Sequence, residues 1–193
     1  MGVVESMDKR PTVEEVRQFA ITAHGDQTYG VGVPYSVHLD AVVAIIKDNE
    51  LAYSPGNPGP LYQLGYLHDV VEDTPITLKD LQDFGIPEVL RDAVDFCTDE
   101  PGHNRKTRKT LTYRKWRETI LWEGLKTGWV NMAIWVKLAD RLANLRESKA
   151  NNPGLLKMYR KEAQAFRAAL IEPAQPWIPE AMWKEYDELV GLR

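Results

Sequence analysis

The chain has 193 residues, with 24 Lys and Arg against 28 Asp and Glu, a formal net charge of −4. That acidity argues against a general nucleic-acid binder, and apolar runs such as Ala41 to Ile46 are far too short to span a membrane. With 44% apolar and 27% charged residues the chain is an ordinary globular mixture rather than a disordered one. Its length suits a single domain over 1–193, with a last helix at about 180–190.

Thr12-Val-Glu-Glu15 forms a capping box, and behind it Val13, Val16, Phe19, Ala20 and Ala23 recur at helical spacing. Gly25, Gly30, Gly32 and Pro34 make 25–34 a loop. A second helix is expected from about Tyr35 to Asp48, burying Val42, Val43, Ile45 and Ile46. The Pro- and Gly-rich turn at 53–60 launches a third helix through Leu61, Leu64, Leu67 and Val71. Thr77 and Pro87 open two short helices that end near Gly85 and Thr98. The polar, basic stretch 100–109 reads as a mobile connection, followed by helices at about 112–126, 130–148 and 153–171. Pro173, Pro176 and Pro179 bend the chain before a last amphipathic helix to Val190, whose Trp183, Tyr186 and Leu189 suit either the core or a homo-oligomer interface. No segment alternates with period two, so the expected fold is all-α.

The N-terminus has no charged-then-apolar pattern, so no secretory signal is expected. Gly2 to Ser6 fits the loose myristoylation pattern, but the match is five residues long and an unmodified start is the expectation. Cys97 is the single cysteine, which rules out an internal disulfide and thiolate metal sites and fits a reducing cytoplasm.

The informative segment is His68-Asp-Val-Val-Glu-Asp-Thr74. Three carboxylates and an imidazole crowd six positions of an otherwise apolar helix end. Like charges that close resist burial unless a cation sits among them, and a divalent metal is the simplest such cation. One nitrogen and one oxygen, from His68 and Asp69, suit Mn, Fe or Zn better than Ca; the competing reading is a solvated helix end. His38, early in the second helix, and Asp140, in the middle of the apolar stretch Val136-Lys-Leu-Ala-Asp-Arg-Leu-Ala-Asn144, are the partners that would complete a two-His, two-Asp set. Asp140 would otherwise pair with Lys137 or Arg141. Asn144 shares the face of Asp140, and Glu72 and Asp73 follow Asp69 closely enough to act on a metal-bound water and a leaving oxygen. Seven Lys and Arg between Arg105 and Arg117, with no acid among them, form either a solvated run or a cradle for phosphates. His24 reads as structural, His103 as solvated, and the six tryptophans as packing residues.

In this order the motifs Ala23-His24…Gln27…Gly32-Val-Pro34-Tyr35…His38, Leu67-His-Asp-Val-Val-Glu-Asp-Thr74, Phe84-Gly85 and Val136-Lys-Leu-Ala-Asp-Arg-Leu…Asn144 resemble the HD-type metal phosphohydrolases, and among them the RelA/SpoT hydrolase domain and the small alarmone hydrolases. The resemblance covers about residues 13–170. It implies a helical bundle of about eight to ten helices with one Mn2+ ion, Fe2+, Zn2+ or another divalent metal being alternatives. The implied reaction is hydrolysis of the 3′-pyrophosphate of (p)ppGpp to GDP or GTP and pyrophosphate. By position it implies His38, His68, Asp69 and Asp140 as metal ligands, Glu72 and Asp73 as the catalytic pair, and Asn144 and Tyr159 as substrate contacts, while Tyr29, at a position that departs from the family, is a substrate contact by stacking on a purine. The partner it implies is a small phosphorylated nucleotide.

The chain departs from the family's pattern at four positions. Tyr29 and Gly30 stand where an Arg-Lys pair is usual, Leu39 where a proline is usual, and Glu147 where a small hydroxyl residue is usual. These departures keep two other readings open: the same metal chemistry on an adenosine alarmone or NADPH, and a non-catalytic nucleotide-binding or antitoxin module.

Overall fold

The computed structural model describes residues 10–49, 57–123, 128–174 and 178–192. Gly2 to Ser6, the first half of the 53–60 turn, the end of the expected 112–126 helix and Pro176 lie outside them. In chain order the elements are α1 (Val13–His24), a hairpin of β1 (Thr28–Tyr29) and β2 (Val33–Pro34), α2 (Ser36–Asn49), α3 (Gly59–Leu67), α4 (Val70–Asp73), α5 (Leu78–Asp83), α6 (Glu88–Cys97), α7 (Arg105–Glu123), α8 (Gly128–Asn151), α9 (Pro153–Ala174) and α10 (Glu180–Val190). The all-α expectation holds, and the capping boxes at Thr12 and Thr77 both form.

The organising element is α8. It is buried nearly all round between Val130 and Leu145 and packs against α2, α3, α6, α9 and α10, as expected of a helix with no polar face to give to water. Its neighbour α10 serves the core: Trp183 and Tyr186 are buried, and the Tyr186 hydroxyl donates to the Ala163 carbonyl at 3.0 Å. Trp116 and Trp135 are also core residues, whereas Trp122 lies open to solvent at 89% exposure. No helix among the described residues is long and apolar enough to cross a membrane.

Three expectations are corrected. The third helix is not continuous to Val71; it stops at Leu67 and resumes at Val70 as the single turn α4. The break is driven from the side chain, since His68 Nδ1 donates to the Gly65 carbonyl at 2.7 Å and Asp69 relaxes to φ −108°, ψ −2°. The basic stretch before residue 112 is not a connection, because α7 already starts at Arg105. Asn104 caps it: its side-chain oxygen accepts the Thr107 N–H at 2.9 Å and its carbonyl accepts from Arg108. The Gly-rich loop contains a two-residue antiparallel ladder, Thr28 opposite Pro34 and Tyr29 opposite Val33, too short to leave a periodic signal in the sequence.

Two packing details carry weight. A Cβ on Gly65 would come within 2.9 Å of Val43 Cγ2 and 3.1 Å of Ile46 Cδ1, so this glycine sets how closely α3 lies on α2. Arg105 forks onto Glu162 at 2.7 and 3.0 Å, Arg141 reaches the same carboxylate at 3.4 Å, and the Arg141 guanidinium lies over the Phe166 and Tyr159 rings. This cluster ties α7, α8 and α9 together.

Gly65→Val is expected to destabilise the fold by about 1–3 kcal/mol through overpacking, read as a lowered urea midpoint with an unchanged slope. A pH dependence follows from Glu162. Burial would raise its carboxyl, but Arg105 outweighs burial and holds it below its ordinary value of 4.5. The stabilisation is therefore present above that value and lost as pH falls below it. Wild type should exceed Glu162→Gln in stability at pH 7, with the gap closing as pH falls below 4.5, as read from paired denaturation curves.

Candidate metal centre

The helix break and the middle of α8 meet at one point. His38 from the first turns of α2, His68 and Asp69 from the α3–α4 break, and Asp140 from α8 each present a ligating atom, all within 4.8 Å of one another. His38 Nε2 lies 3.3 Å from His68 Nε2, 3.5 Å from Asp69 Oδ2 and 3.4 Å from Asp140 Oδ1, while His68 Nε2 is 3.0 Å from Asp69 Oδ2. Both imidazoles are essentially inaccessible, at 1% and 0% exposure.

The same bond that breaks the helix also sets the chemistry of His68. With the Nδ1 proton held by the Gly65 carbonyl, a neutral His68 turns the lone pair of Nε2 into the cluster. Burial would push the His68 imidazole down, yet Asp69 and Asp140 outweigh it and carry it up to about 10. Both carboxyls go the other way: burial would raise them, and the neighbouring cationic groups hold them well below the usual range. The site thus demands positive charge at its centre, and two nitrogens with two oxygens are a donor set that a divalent transition ion fits.

Around this centre lies a second ring of groups. The Tyr35 hydroxyl donates to Asp69 Oδ2 at 2.7 Å and sits 3.2 Å from Asp73 Oδ2, bridging the two carboxylates. His24 stacks on the Tyr35 ring at 4.1 Å and binds Gln27 Oε1 through Nδ1 at 2.9 Å; Gln27 Nε2 in turn donates to the Asp73 carbonyl. His24 thus braces Tyr35 and Gln27. Glu72 points to the other side, where its Oε2 accepts the Asp99 N–H at 2.9 Å. Burial raises Glu72; burial and then Asp69 raise Asp73, so both carboxyls sit above their ordinary range.

Asn144 donates from Nδ2 to Asp140 Oδ1 at 2.5 Å and accepts the Tyr29 hydroxyl on Oδ1 at 3.2 Å, and the Tyr29 ring lies 4.6 Å from that of His38. Tyr159 is buried beneath the Arg141 guanidinium, 4.7 Å from its ring centroid. Both readings of Asp140 apply at once: Oδ1 faces the histidines while Oδ2 lies 3.4 Å from Lys137 Nζ. Arg141 instead pairs with Glu162.

The cation run of α7 is mostly engaged by the chain's own acids. Arg105 holds Glu162, Lys109 holds Asp99 at 2.7 Å, Lys115 holds Glu100 at 2.9 Å and Arg114 holds Glu118. Sequence reasoning gave no role to Tyr35, Gln27 or Asp99 and treated Lys137 only as a bland partner. The available signal was Lys137 itself, a lysine buried to 4% exposure three residues before Asp140 on an apolar helix.

The chain is 29% identical over 166 residues to the guanosine-3′,5′-bis(diphosphate) 3′-pyrophosphohydrolase of Vibrio cholerae, which is 83% of this chain and 22% of that protein. It is 30% identical over 127 residues to the bifunctional (p)ppGpp synthase/hydrolase SpoT of Escherichia coli, covering 64% of this chain and 16% of that one. To the GTP pyrophosphokinase of Streptomyces coelicolor it is 34% identical over 140 residues, 69% of this chain and 14% of the other. The chain therefore spans about a fifth or less of the length of these relatives. No protein-family model matches it. Among solved structures, one described as a metazoan ortholog of SpoT that hydrolyzes ppGpp and plays a role in starvation responses matches with a TM-score of 0.71 and 24% identity, covering 100% of both chains. The protein lmo0812 of Listeria monocytogenes EGD-e matches with a TM-score of 0.61 and 23% identity over 85% of this chain and 96% of that one.

Fold and site together define a helical protein of the HD type. Within that class the chain is RelA/SpoT-hydrolase-like in sequence and in fold.

Chelator-treated protein is expected to melt at a higher temperature when Mn2+ or Zn2+ is added, since an ion at about 100 times its Kd stabilises by about 2.7 kcal/mol. Asp140→Ala should melt at the same temperature with and without the ion. A full shift in that variant would remove Asp140 from the ligand set.

Proposed function

We propose that the chain is a metal-dependent hydrolase of the 3′-pyrophosphate of guanosine tetra- or pentaphosphate, releasing GDP or GTP and pyrophosphate in the cytoplasm. The observation that carries this reading is the cluster of two histidines and two aspartates with Glu72 and Asp73 beside it on the same turn. The substrate class rests on the relatives, which are named as 3′-pyrophosphohydrolases of that nucleotide.

His38, His68, Asp69 and Asp140 hold the ion, with Mn2+ as the proposed occupant. When bound, the ion supplies a Lewis acid that polarises a phosphoryl oxygen and acidifies a water. The remaining roles belong to the chain. Glu72 takes the proton of the attacking water, a task suited to a carboxyl raised by burial and steadied by the Asp99 N–H. The water oxygen bonds to the phosphorus attached to the 3′ oxygen, and the bond from that phosphorus to the 3′ oxygen breaks. Asp73, raised by burial and the nearby Asp69 charge, gives its proton to the departing 3′ oxygen. Tyr35 keeps Asp69 and Asp73 at a fixed spacing, and Asn144 fixes Asp140. Tyr29, Asn144 and Tyr159 meet the nucleoside.

A second reading keeps this chemistry and changes the nucleotide to an adenosine alarmone or NADPH. It is favoured by the Tyr29–Asn144 bond and by Glu147, which put a phenol and a carboxylate where the related family carries cations and a small hydroxyl residue.

The test is incubation of metal-stripped protein with ppGpp, with and without Mn2+, followed by resolution of the products. Mn2+-dependent appearance of GDP and pyrophosphate is expected. Faster cleavage of an adenosine alarmone or NADPH would move the substrate to the second reading, and no release from any nucleotide with metal bound would end the enzymatic one. Glu72→Gln should still bind the ion but lose turnover by about 10²–10⁴-fold; loss of both together would refute its assignment as the base.

A further inference from the structure

Asp140, Asn144 and Glu147 stand at i, i+4 and i+7 on α8 and so share one face. At 1.5 Å per residue Glu147 lies about 10 Å further along the axis than Asp140. That is the reach of a nucleoside whose 3′-phosphoryl group sits at the metal centre. Glu147 is therefore placed to meet the base or the sugar.

The local geometry shows what kind of group it would meet. Glu147 Oε1 is buried and has no hydrogen-bond partner. It lies under the β1–β2 hairpin against Gly30, where a Cβ would stand only 2.4 Å from it. Gly30 itself has φ +54°, so the hairpin puts bare backbone over this oxygen. A buried carboxylate oxygen without a donor is costly, and a bound group that donates to it recovers that cost. The charged side chains that act most strongly on the adjacent Tyr29 hydroxyl are Asp140, Glu147 and Asp69, all acidic. Arg146, next in sequence to Glu147, is held away by Glu185 at 2.7 and 2.8 Å. A phosphate would meet the like charge of Glu147 and Asp140 here, whereas an N–H or O–H group would meet an acceptor.

We propose that Glu147 is a specificity-determining residue that accepts a hydrogen bond from a donor on the nucleoside part of the ligand, and that the Gly30–Glu147 end of the site rejects phosphate. The inference rests on the proposed function, since that reading supplies the nucleotide. The donor is either the N–H edge of a guanine base or a ribose hydroxyl, and both present the same chemistry to the carboxylate.

The test is calorimetric titration of wild-type protein, Glu147→Ala and Glu147→Gln with GDP, with inosine diphosphate, which lacks the guanine amino group, and with 2′-deoxy-GDP. Glu147→Ala is expected to weaken GDP binding by roughly tenfold or more, the scale of one hydrogen bond to a charged group. Glu147→Gln, which keeps an acceptor oxygen, should fall between. If the donor is the amino group, the loss shrinks for inosine diphosphate; if it is the 2′-hydroxyl, the loss shrinks for 2′-deoxy-GDP. The melting temperature of Glu147→Ala should not fall, because the variant removes an unpaired buried oxygen, and this separates a binding role from a structural one. With ppGpp as substrate the same variant should raise KM more than it lowers kcat.

Equal or tighter GDP binding by Glu147→Ala overturns the proposal, and so does failure of the wild type to bind GDP at millimolar concentration. Wild-type protein that binds GDP through Glu147 but releases no pyrophosphate from ppGpp would leave this inference standing and end the proposed reaction. Hydrolysis by Glu147→Ala at the wild-type KM would do the reverse.

Discussion

The structure turns on the bond from His68 Nδ1 to the Gly65 carbonyl. It takes a carbonyl out of the helical ladder, so α3 ends and α4 restarts two residues later. At this break Asp69 Oδ2 lies 3.0 Å from His68 Nε2. The bond also turns His68 Nε2 toward His38 and Asp140. Gly65 is tied into the same place from the other side, because its missing side chain lets α3 lie close on Val43 and Ile46 of α2, the helix that carries His38. One residue therefore governs the approach of two helices and supplies the acceptor that orients the histidine.

Burying two carboxylates at one point is costly, and the chain offsets this cost in layers. Lys137 brings a buried cation to the outer oxygen of Asp140, Asn144 donates to its inner one, and the Tyr35 hydroxyl donates to Asp69. An ion held by His38, His68, Asp69 and Asp140 would add further positive charge against these carboxylates. The α7 cations contribute at a distance. Lys109 fixes Asp99, whose N–H fixes Glu72, so that part of the basic run is structural support for a carboxylate and not a cradle for phosphate.

Much of this was legible in the sequence because it depends on local pattern. The capping boxes at Thr12 and Thr77, the apolar spacing of α2 and α8 and the crowding of charge at 68–73 all act over a few residues, and each predicts its element or its chemistry directly. The convergence of His38 and Asp140 on that segment was open from spacing alone and came from the family resemblance. What stayed hidden depends on contacts across the fold or on side-chain competition with the backbone. The helix break at His68 reads as continuous helix, since no glycine or proline marks it. Asn104 was passed over as a cap because the basic residues after it resemble a solvated loop. Tyr35, Asp99 and Gln27 acquire their roles only when α1, the hairpin and α6 close around the break, and no periodicity announces that.

The contact between Gly30 and Glu147 makes the two positions interdependent. A lysine or arginine placed at position 30 would have to accept a left-handed backbone, displace the Glu147 carboxylate, and then find that carboxylate as its nearest counter-ion. The introduced cation would be neutralised within the chain before any phosphate reached it. Only after position 147 had lost its charge would a cation at position 30 become available to a ligand. The two sites can thus be exchanged productively in one order and not in the other, so the hairpin and α8 are expected to diverge together.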